Sequence, residues 1–405
     1  MRKKFNLNRR SFLKSSAALT GAFAFGVPNI IKAESKSWVM ASSFPLTGPF
    51  AAAGSMGLKD YLDWVEMTNS TGGIAGKKIK PVYEDSAYVP SKSLANFKKA
   101  MSADDKPVFY GGDSTGFMKL VTPELNRTPV LCGGTSFSSE LADPKTHPYQ
   151  FISGPTYNSM FDILLQYIKS KGGKKLAFIY SDTEFGKDPI EHGVKKAKSL
   201  GIDVVLKEVT KPAGAEVMTH ISSLRRADPE YAILHGYVTG VWPQIIGGAR
   251  KAKMSTKFLG TFWGMEKIIA DAVTKQSGPF LEGYSGVTPY RYFYEAKEAP
   301  SYGKFFAFLK SKYGDEFPGY VSTWSVQIMF TYEIAKLAIE KTVNADKEVN
   351  AKNLVESLES IKNWDSGGYM GKPVSIENHA IAQGRVYSYK TSNGLFLPIS
   401  DWITA

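Results

Sequence analysis

The residues of this 405-residue chain whose types and spacing speak most directly to chemistry are Gly112-Asp113-Ser114-Thr115-Gly116. They follow a short apolar run at 108–110 and lead into a helical pattern that starts at Gly116. A strand, tight turn and helix in that order leave backbone N–H groups unpaired at the helix start, and small residues let another molecule approach them. The turn therefore suits an anion, either a carboxylate or the oxyanion that develops during acyl transfer. A second turn, Gly133-Gly134-Thr135-Ser136-Phe137, follows one strand later and has the same small, hydroxyl-bearing character. Two such turns after neighbouring strands make one cradle.

The first turn also matches G-x-S-x-G, the nucleophile elbow of serine hydrolases. Ser114, then Asp346 or Asp365, then His379 have the chain order of such a triad. Three features weigh against that reading. Pro123 stops the helix after Ser114 within two turns, no H-G-G-G-like segment precedes it, and the elbow comes after only the third strand. Other chemistries are absent from the pattern. No G-x-G-x-x-G with a following acid and no G-x-x-x-x-G-K-[ST] offers a nucleotide cofactor a cradle. The five histidines include no His-x-x-x-His pair, so neither a metal nor another cofactor is expected. Cys132 is the single cysteine, which excludes an intrachain disulfide and reads as a buried apolar thiol.

The elements that must position these turns alternate with regularity. Strands are predicted at 38–43, 78–83, 107–110 and 129–132, with helices at 54–69, from Pro90, and from Gly116 to Asn126. Leu58, Tyr61, Leu62 and Val65 place one apolar stripe on the first helix. After a crossing at 151–155, a second series begins with a helix at 157–171. Its strands are 175–180, 203–209, 231–235 and 258–261; its helices are 186–200, 215–226, 241–253 and 266–274. A further crossing at 283–289 precedes helices at 301–313, 320–343 and 352–362 and a β-rich stretch at 385–399. The pattern predicts an α/β protein of two doubly wound parallel-sheet lobes with a ligand cleft between them. The boundaries are 34–153 plus about 285–378 for lobe 1, and 154–284 plus about 379–405 for lobe 2.

Of the net charge of +12, seven units lie in residues 1–33, which contain no acid; the remainder carries +5. No other basic block suggests a nucleic-acid face. Asn8-Arg9-Arg10-Ser11-Phe12-Leu13-Lys14 matches a twin-arginine export signal, followed by a weakly apolar run too short and broken to span a bilayer. Residues 1–33 are read as a signal peptide cleaved near Ala33, and the mature chain as a periplasmic monomer.

In order and spacing, several segments together resemble the type I periplasmic solute-binding proteins of ABC importers, in the branched-chain amino acid (Leu/Ile/Val) group. They are Pro45-Leu46-Thr47-Gly48-Pro49 with Gly54 and Gly57, the segment 69–79, Asp85 before the Pro90 helix, the two turns, the segment 180–186, and His235-Gly236-Tyr237. The resemblance implies a binding protein without catalytic activity that takes a small-molecule carboxylate and delivers it to an inner-membrane permease; a sensory protein of the same fold is the alternative. It implies that Ser114, Thr115, Thr135, Ser136 and Phe137 grip the carboxylate, and that Phe185 and Tyr237 bring aromatic rings from the second lobe. Two departures stand out. Trp263 falls where amino acid binders place an acid for the ligand's ammonium, with Glu266 somewhat late, and Ala53 replaces an aromatic residue. Both point to a ligand bulkier than leucine, an aromatic or aliphatic acid without an amino group among the candidates. Asp113 or Glu184 could otherwise pair an ammonium.

Overall fold

The computed structural model describes residues 37–404 apart from 212–215, 239, 296 and 316–321; the expected signal peptide lies outside the described residues. Alternating apolar runs and amphipathic helices produce two sheets, one per lobe. In the first, β1 (Ser37–Phe44), β2 (Lys78–Asp85), β3 (Phe109–Gly112), β4 (Leu131–Gly134) and β5 (Gln150–Phe151) run parallel in the order β2-β1-β3-β4-β5. Both faces are covered by helices, as parallel sheets require.

The second sheet has a parallel core of β6 (Lys175–Ser181), β7 (Asp203–Thr210), β8 (Tyr231–His235), β9 (Lys257–Gly260) and β10 (Ser285–Thr288). It is extended by antiparallel β11 (Gln383–Lys390) and β12 (Leu395–Pro398), giving the order β12-β11-β10-β9-β8-β6-β7, while β13 (Ile403–Thr404) pairs with β11. The strand β10 starts where the sequence pattern switched lobes, and its pairing is with the second sheet. Two predicted helices are each split at a proline, which removes a backbone donor. Pro123, in the first turn of Thr122–Arg127, starts that helix afresh after Thr115–Leu120, and Pro189 separates Glu184–Lys187 from Ile190–Ser199.

The lobes are joined by three crossings that hydrogen-bond to one another. Ile152 N–H donates to the His379 carbonyl at 2.7 Å and Ile381 N–H to the Gly154 carbonyl at 3.1 Å. The Tyr290 hydroxyl donates to the Ser153 carbonyl at 2.8 Å. Beside them lies the helix Thr323–Asn344, buried over most of its circumference. Its few inward polar groups pair with the end of β4 and with a crossing: Gln327 Nε2 donates to the Gly134 carbonyl at 3.0 Å and Thr331 Oγ1 to Ser153 Oγ at 2.8 Å. Apolar burial holds this helix in place, and these bonds fix its rotation.

Candidate ligand-binding site

The site is built at the carboxyl ends of β3 and β4, which run in register with Gly111 opposite Gly133 and Gly112 opposite Gly134. A Cβ on Gly134 would come within 2.3 Å of the Gly112 carbonyl oxygen, so only glycine lets the two turns lie this close. Thr135 N–H donates to that carbonyl at 3.1 Å, and the Thr115 and Ser136 hydroxyls hydrogen-bond at 2.9 Å. Ser114 Oγ caps the helix Thr115–Leu120 by accepting the Phe117 N–H at 3.2 Å. Asp113 is buried beneath the same turn, where its Oδ1 accepts from Ser93 Oγ at 3.0 Å and from Ser114 Oγ at 3.4 Å. Burial raises its pKa against the hydroxyls of Ser86 and Ser93, which favour the ionised form.

A second pair of loops is held by Asp85, at the end of β2. Its Oδ1 accepts from the N–H groups of Leu46 at 2.9 Å, Thr47 at 3.2 Å and Ala87 at 2.9 Å; Oδ2 accepts from Thr47 Oγ1 at 2.8 Å and Lys92 Nζ at 2.9 Å. Desolvation opposes ionisation there, but Lys92 and these donors hold the carboxyl well below the ordinary carboxylate range. The loop after Asp85 turns through two left-handed residues, Ala87 (φ 54°) and Tyr88 (φ 61°). That conformation costs a non-glycine residue about 1 kcal/mol or more, here offset by the Asp85 bonds. It lays Tyr88 against Phe50, with ring centroids 4.2 Å apart.

The second lobe supplies rings of its own. His235 is fully buried, and burial lowers its pKa to about 3, so the imidazole is neutral at physiological pH. A carbonyl can only accept; His235 Nε2–H therefore donates to the Phe185 carbonyl at 2.9 Å, and Nδ1 accepts from Thr261 Oγ1 at 2.7 Å. This pins Phe185, whose ring lies 5.3 Å from that of Tyr157. The Trp263 indole N–H donates to the Tyr157 hydroxyl at 3.0 Å, and Trp324 Nε1 donates to the Trp263 carbonyl at 3.2 Å.

Between these groups lies a cavity with about 730 Å³ of empty space, its mouth included. Its walls are the rings of Phe44, Phe50, Tyr88, Tyr157, Phe185, Trp263 and Trp324, with polar atoms from Asp113, Thr115, Thr135 and Gln327. Among the described lining residues there is no Lys, Arg or His, and no group of three or more described His, Cys, Asp or Glu residues could hold a metal. The cleft is closed. Phe50 of the first lobe stacks on Tyr237 of the second at 5.7 Å, and Ser138 Oγ donates to Asp188 Oδ1 at 2.5 Å. An apolar slot with a few convergent polar groups at a lobe interface is the usual form of a small-molecule site.

A family model described as "Periplasmic binding protein" matches residues 40–394. The chain belongs to this family. Members are substrate-binding proteins of the periplasm, not enzymes. No helix among the described residues is long and apolar enough to cross a membrane. The chain is 23% identical over 211 residues to Leu/Ile/Val-binding protein homolog 7 of Brucella suis, covering 49% of this chain and 52% of that protein. It thus spans about half the length of the curated relatives it matches. Its fold is similar to a branched-chain amino acid ABC transporter protein of Thermus thermophilus with bound valine: TM-score 0.81, 20% identity, 91% of this chain and 97% of that one. It is also similar to a solute-binding protein of Rhodopseudomonas palustris BisB5 in complex with 3,4-dihydroxybenzoic acid: TM-score 0.76, 16% identity, 92% and 98% covered.

Within this periplasmic binding protein, four residues predicted from the sequence line the cavity together: Thr115, Thr135, Phe185 and Trp263. The other four sit behind the wall. Ser114 caps its helix and Ser136 accepts the Ser138 N–H at 3.2 Å. Phe137 packs edge-on to Phe262 and Tyr157 and touches Trp263. Tyr237 backs Phe50 and donates its hydroxyl to Asp182 Oδ1 at 2.8 Å. The serine hydrolase reading finds no support. The Ser114 hydroxyl lies between Phe117 and Asp113, and His379 Nε2 bonds Glu359 at 3.1 Å instead. Glu184, one of the two acids considered for an ammonium, is largely exposed beside Lys119 and does not line the cavity. Sequence reasoning missed Tyr88, Tyr157, Trp324 and Gln327. Only Tyr88 had a signal, its place in the loop that Asp85 opens at a strand's carboxyl end.

Proposed function

We propose that this periplasmic binding protein is the solute-binding component of an ABC importer. It captures an amino acid or a related hydrophobic or aromatic carboxylate between its lobes and delivers it, as a monomer, to the inner-membrane permease. The observation that carries this reading is the closed slot itself, walled largely by aromatic rings, with Thr115 and Thr135 from the two glycine turns among its few polar lining residues. Neutral donors suit a carboxylate in a site that has no lining cation, because each bond to the ionised oxygen is charge-assisted. Rings from both lobes fit an apolar tail. The valine and 3,4-dihydroxybenzoic acid named for two similar structures are both carboxylic acids. Closure around the ligand provides the difference between loaded and empty forms on which a permease can act.

The test is a thermal-shift screen of amino acids and of aromatic and aliphatic carboxylates against the full chain. A ligand at 100 times its Kd stabilises a protein by about 2.7 kcal/mol. A melt unmoved by every carboxylate, with or without an amino group, refutes the reading.

A further inference from the structure

Two of the residues that line the cavity each carry a buried acceptor atom with no hydrogen-bond partner in the protein. One is Asp113 Oδ2; the other is Gln327 Oε1. Asp113 is 5% exposed and Gln327 fully buried, so neither atom is served by bulk water. The amide orientation of Gln327 is decided by its surroundings. Its Nε2 donates to the Gly134 carbonyl, which can only accept, so the oxygen is the atom left over. For Asp113, the Ser93 and Ser114 hydroxyls both reach Oδ1 and the Ser86 hydroxyl also favours the ionised form, yet Oδ2 has no hydrogen-bond partner. An unpaired buried acceptor is costly, and more so when it belongs to a carboxylate with no cation beside it. Native proteins keep such a group where something else completes it.

We infer that Asp113 is a specificity-determining residue that accepts a hydrogen bond from an N–H or O–H donor on the ligand, with the Gln327 carbonyl oxygen as a second acceptor in the same wall. This rests on the proposed function, since it presupposes that the cavity holds the ligand. It places recognition of the donor on the first lobe and the helix Thr323–Asn344. The loop at 261–266 is then left to contact apolar parts, which agrees with Trp263 turning its only polar atom to Tyr157. An ammonium and a hydroxyl share the required chemistry. The ammonium would in addition supply the countercharge that Asp113 lacks.

The test is isothermal titration of the full chain with three matched acids: L-phenylalanine, L-3-phenyllactate and 3-phenylpropanoate, and with the corresponding leucine series. The inference expects the acids lacking a donor to bind at least about tenfold more weakly than the best donor-bearing one. The amino and hydroxy members show which donor is used. In Asp113→Asn the amide oxygen takes the place facing Ser93, so an NH2 group replaces Oδ2 and meets the ligand's donor. That variant should lose tenfold or more for the donor-bearing acid and little for the acid without one, with an unchanged melting curve for the unliganded protein. Equal binding of all three acids by the unmutated chain overturns the inference without needing the variant, as does an equal loss for all three in Asp113→Asn. Binding of none of the acids of either series overturns this inference, while the carboxylate reading itself stands or falls on the wider thermal-shift screen.

Discussion

The backbone N–H of Thr323 donates to Glu266 Oε2 at 2.9 Å, tying the loop after β9 to the start of the helix Thr323–Asn344. Trp324 N–H shares the same oxygen at 3.3 Å, and Oε1 accepts from Ile268 N–H at 3.0 Å. One carboxylate therefore caps two helices from different lobes. It is 1% exposed and does not line the cavity, which removes the acid nearest Trp263 as a partner for a ligand ammonium.

Glu266 should also make stability depend on pH. Burial raises its pKa to about 7, against three N–H bonds and with Asp60 adding repulsion. Asp60 is itself raised to about 6 by burial, despite its ion pair with Lys59 at 2.7 Å. Both folded-state values exceed the unfolded ones, so the native state binds more protons between about pH 4.5 and 7. Stability from these groups is present below that window and lost as pH rises through it. The unliganded protein should therefore lose on the order of a few degrees of Tm across the window from these two groups. Glu266→Gln should flatten the slope, and Glu266→Ala should lower Tm at every pH by orphaning the Thr323 and Trp324 donors, each costing about 1–3 kcal/mol. A Tm–pH slope identical in Glu266→Gln and the unmutated chain contradicts the assignment.

Lys119 forms a latch of ion pairs between the two lobes. Its Nζ lies 3.0 Å from Asp188 Oδ1 and 3.9 Å from Glu184 Oε2 of the second lobe, and 3.3 Å from Glu140 Oε2 of its own. Asp188 is nearly buried and also accepts from Ser138, so losing its cation should be felt more than at an exposed pair. Lys119→Ala should shift the unliganded protein toward the open form and weaken ligand binding by about three- to thirtyfold. Affinity of the unmutated chain should fall with added salt and that of the variant much less. Small-angle scattering and titration at two salt concentrations check both. An unaltered salt dependence in the variant would dismiss the latch.

The export signal expected from residues 8–14 gives a prediction that is independent of the site. The twin-arginine pair is what the export receptor reads, so replacing Arg9 and Arg10 by Lys should abolish periplasmic accumulation. Cell fractionation decides it. Undiminished periplasmic yield would assign the chain to the general secretory route.

What could be read from the sequence, and what could not, follows from where each residue sits. Most strands and their alternation with helices were legible because apolar runs between amphipathic helices have few other solutions, and the glycine turns at 111–116 and 133–137 mark carboxyl ends of strands. The wall behind them was harder. The helix Thr323–Asn344 is buried on nearly every face, so no apolar stripe distinguishes the turn carrying Trp324, Gln327 and Ile328 from the rest. Tyr88 reaches the cavity through a left-handed backbone that its residue type does not announce. Ser114 and Ser136 have the right chemistry for a ligand but spend their hydroxyls on the Phe117 and Ser138 N–H groups. Pattern cannot separate a hydroxyl that faces a cavity from one that caps a helix.

Trp263 is the residue at which the sequence departs furthest from the amino acid binders, and the structure makes it part of the cavity wall. Its indole is held by Phe137 at 5.7 Å, Phe262 at 4.9 Å and Trp324 at 6.4 Å, and its N–H is used by Tyr157. The face turned to the cavity is therefore apolar and rigid. Trp263→Phe keeps an apolar wall and should cost less than about tenfold in affinity. Trp263→Glu places a carboxylate among rings with no lining cation to receive it, and burying such a charge costs several kcal/mol. Affinity should fall by more than about a hundredfold for amino acids and for acids without an amino group alike. Isothermal titration of both variants measures this. If Trp263→Glu instead gained affinity for leucine or phenylalanine, the ammonium would lie beside residue 263, and Asp113 would not be its partner.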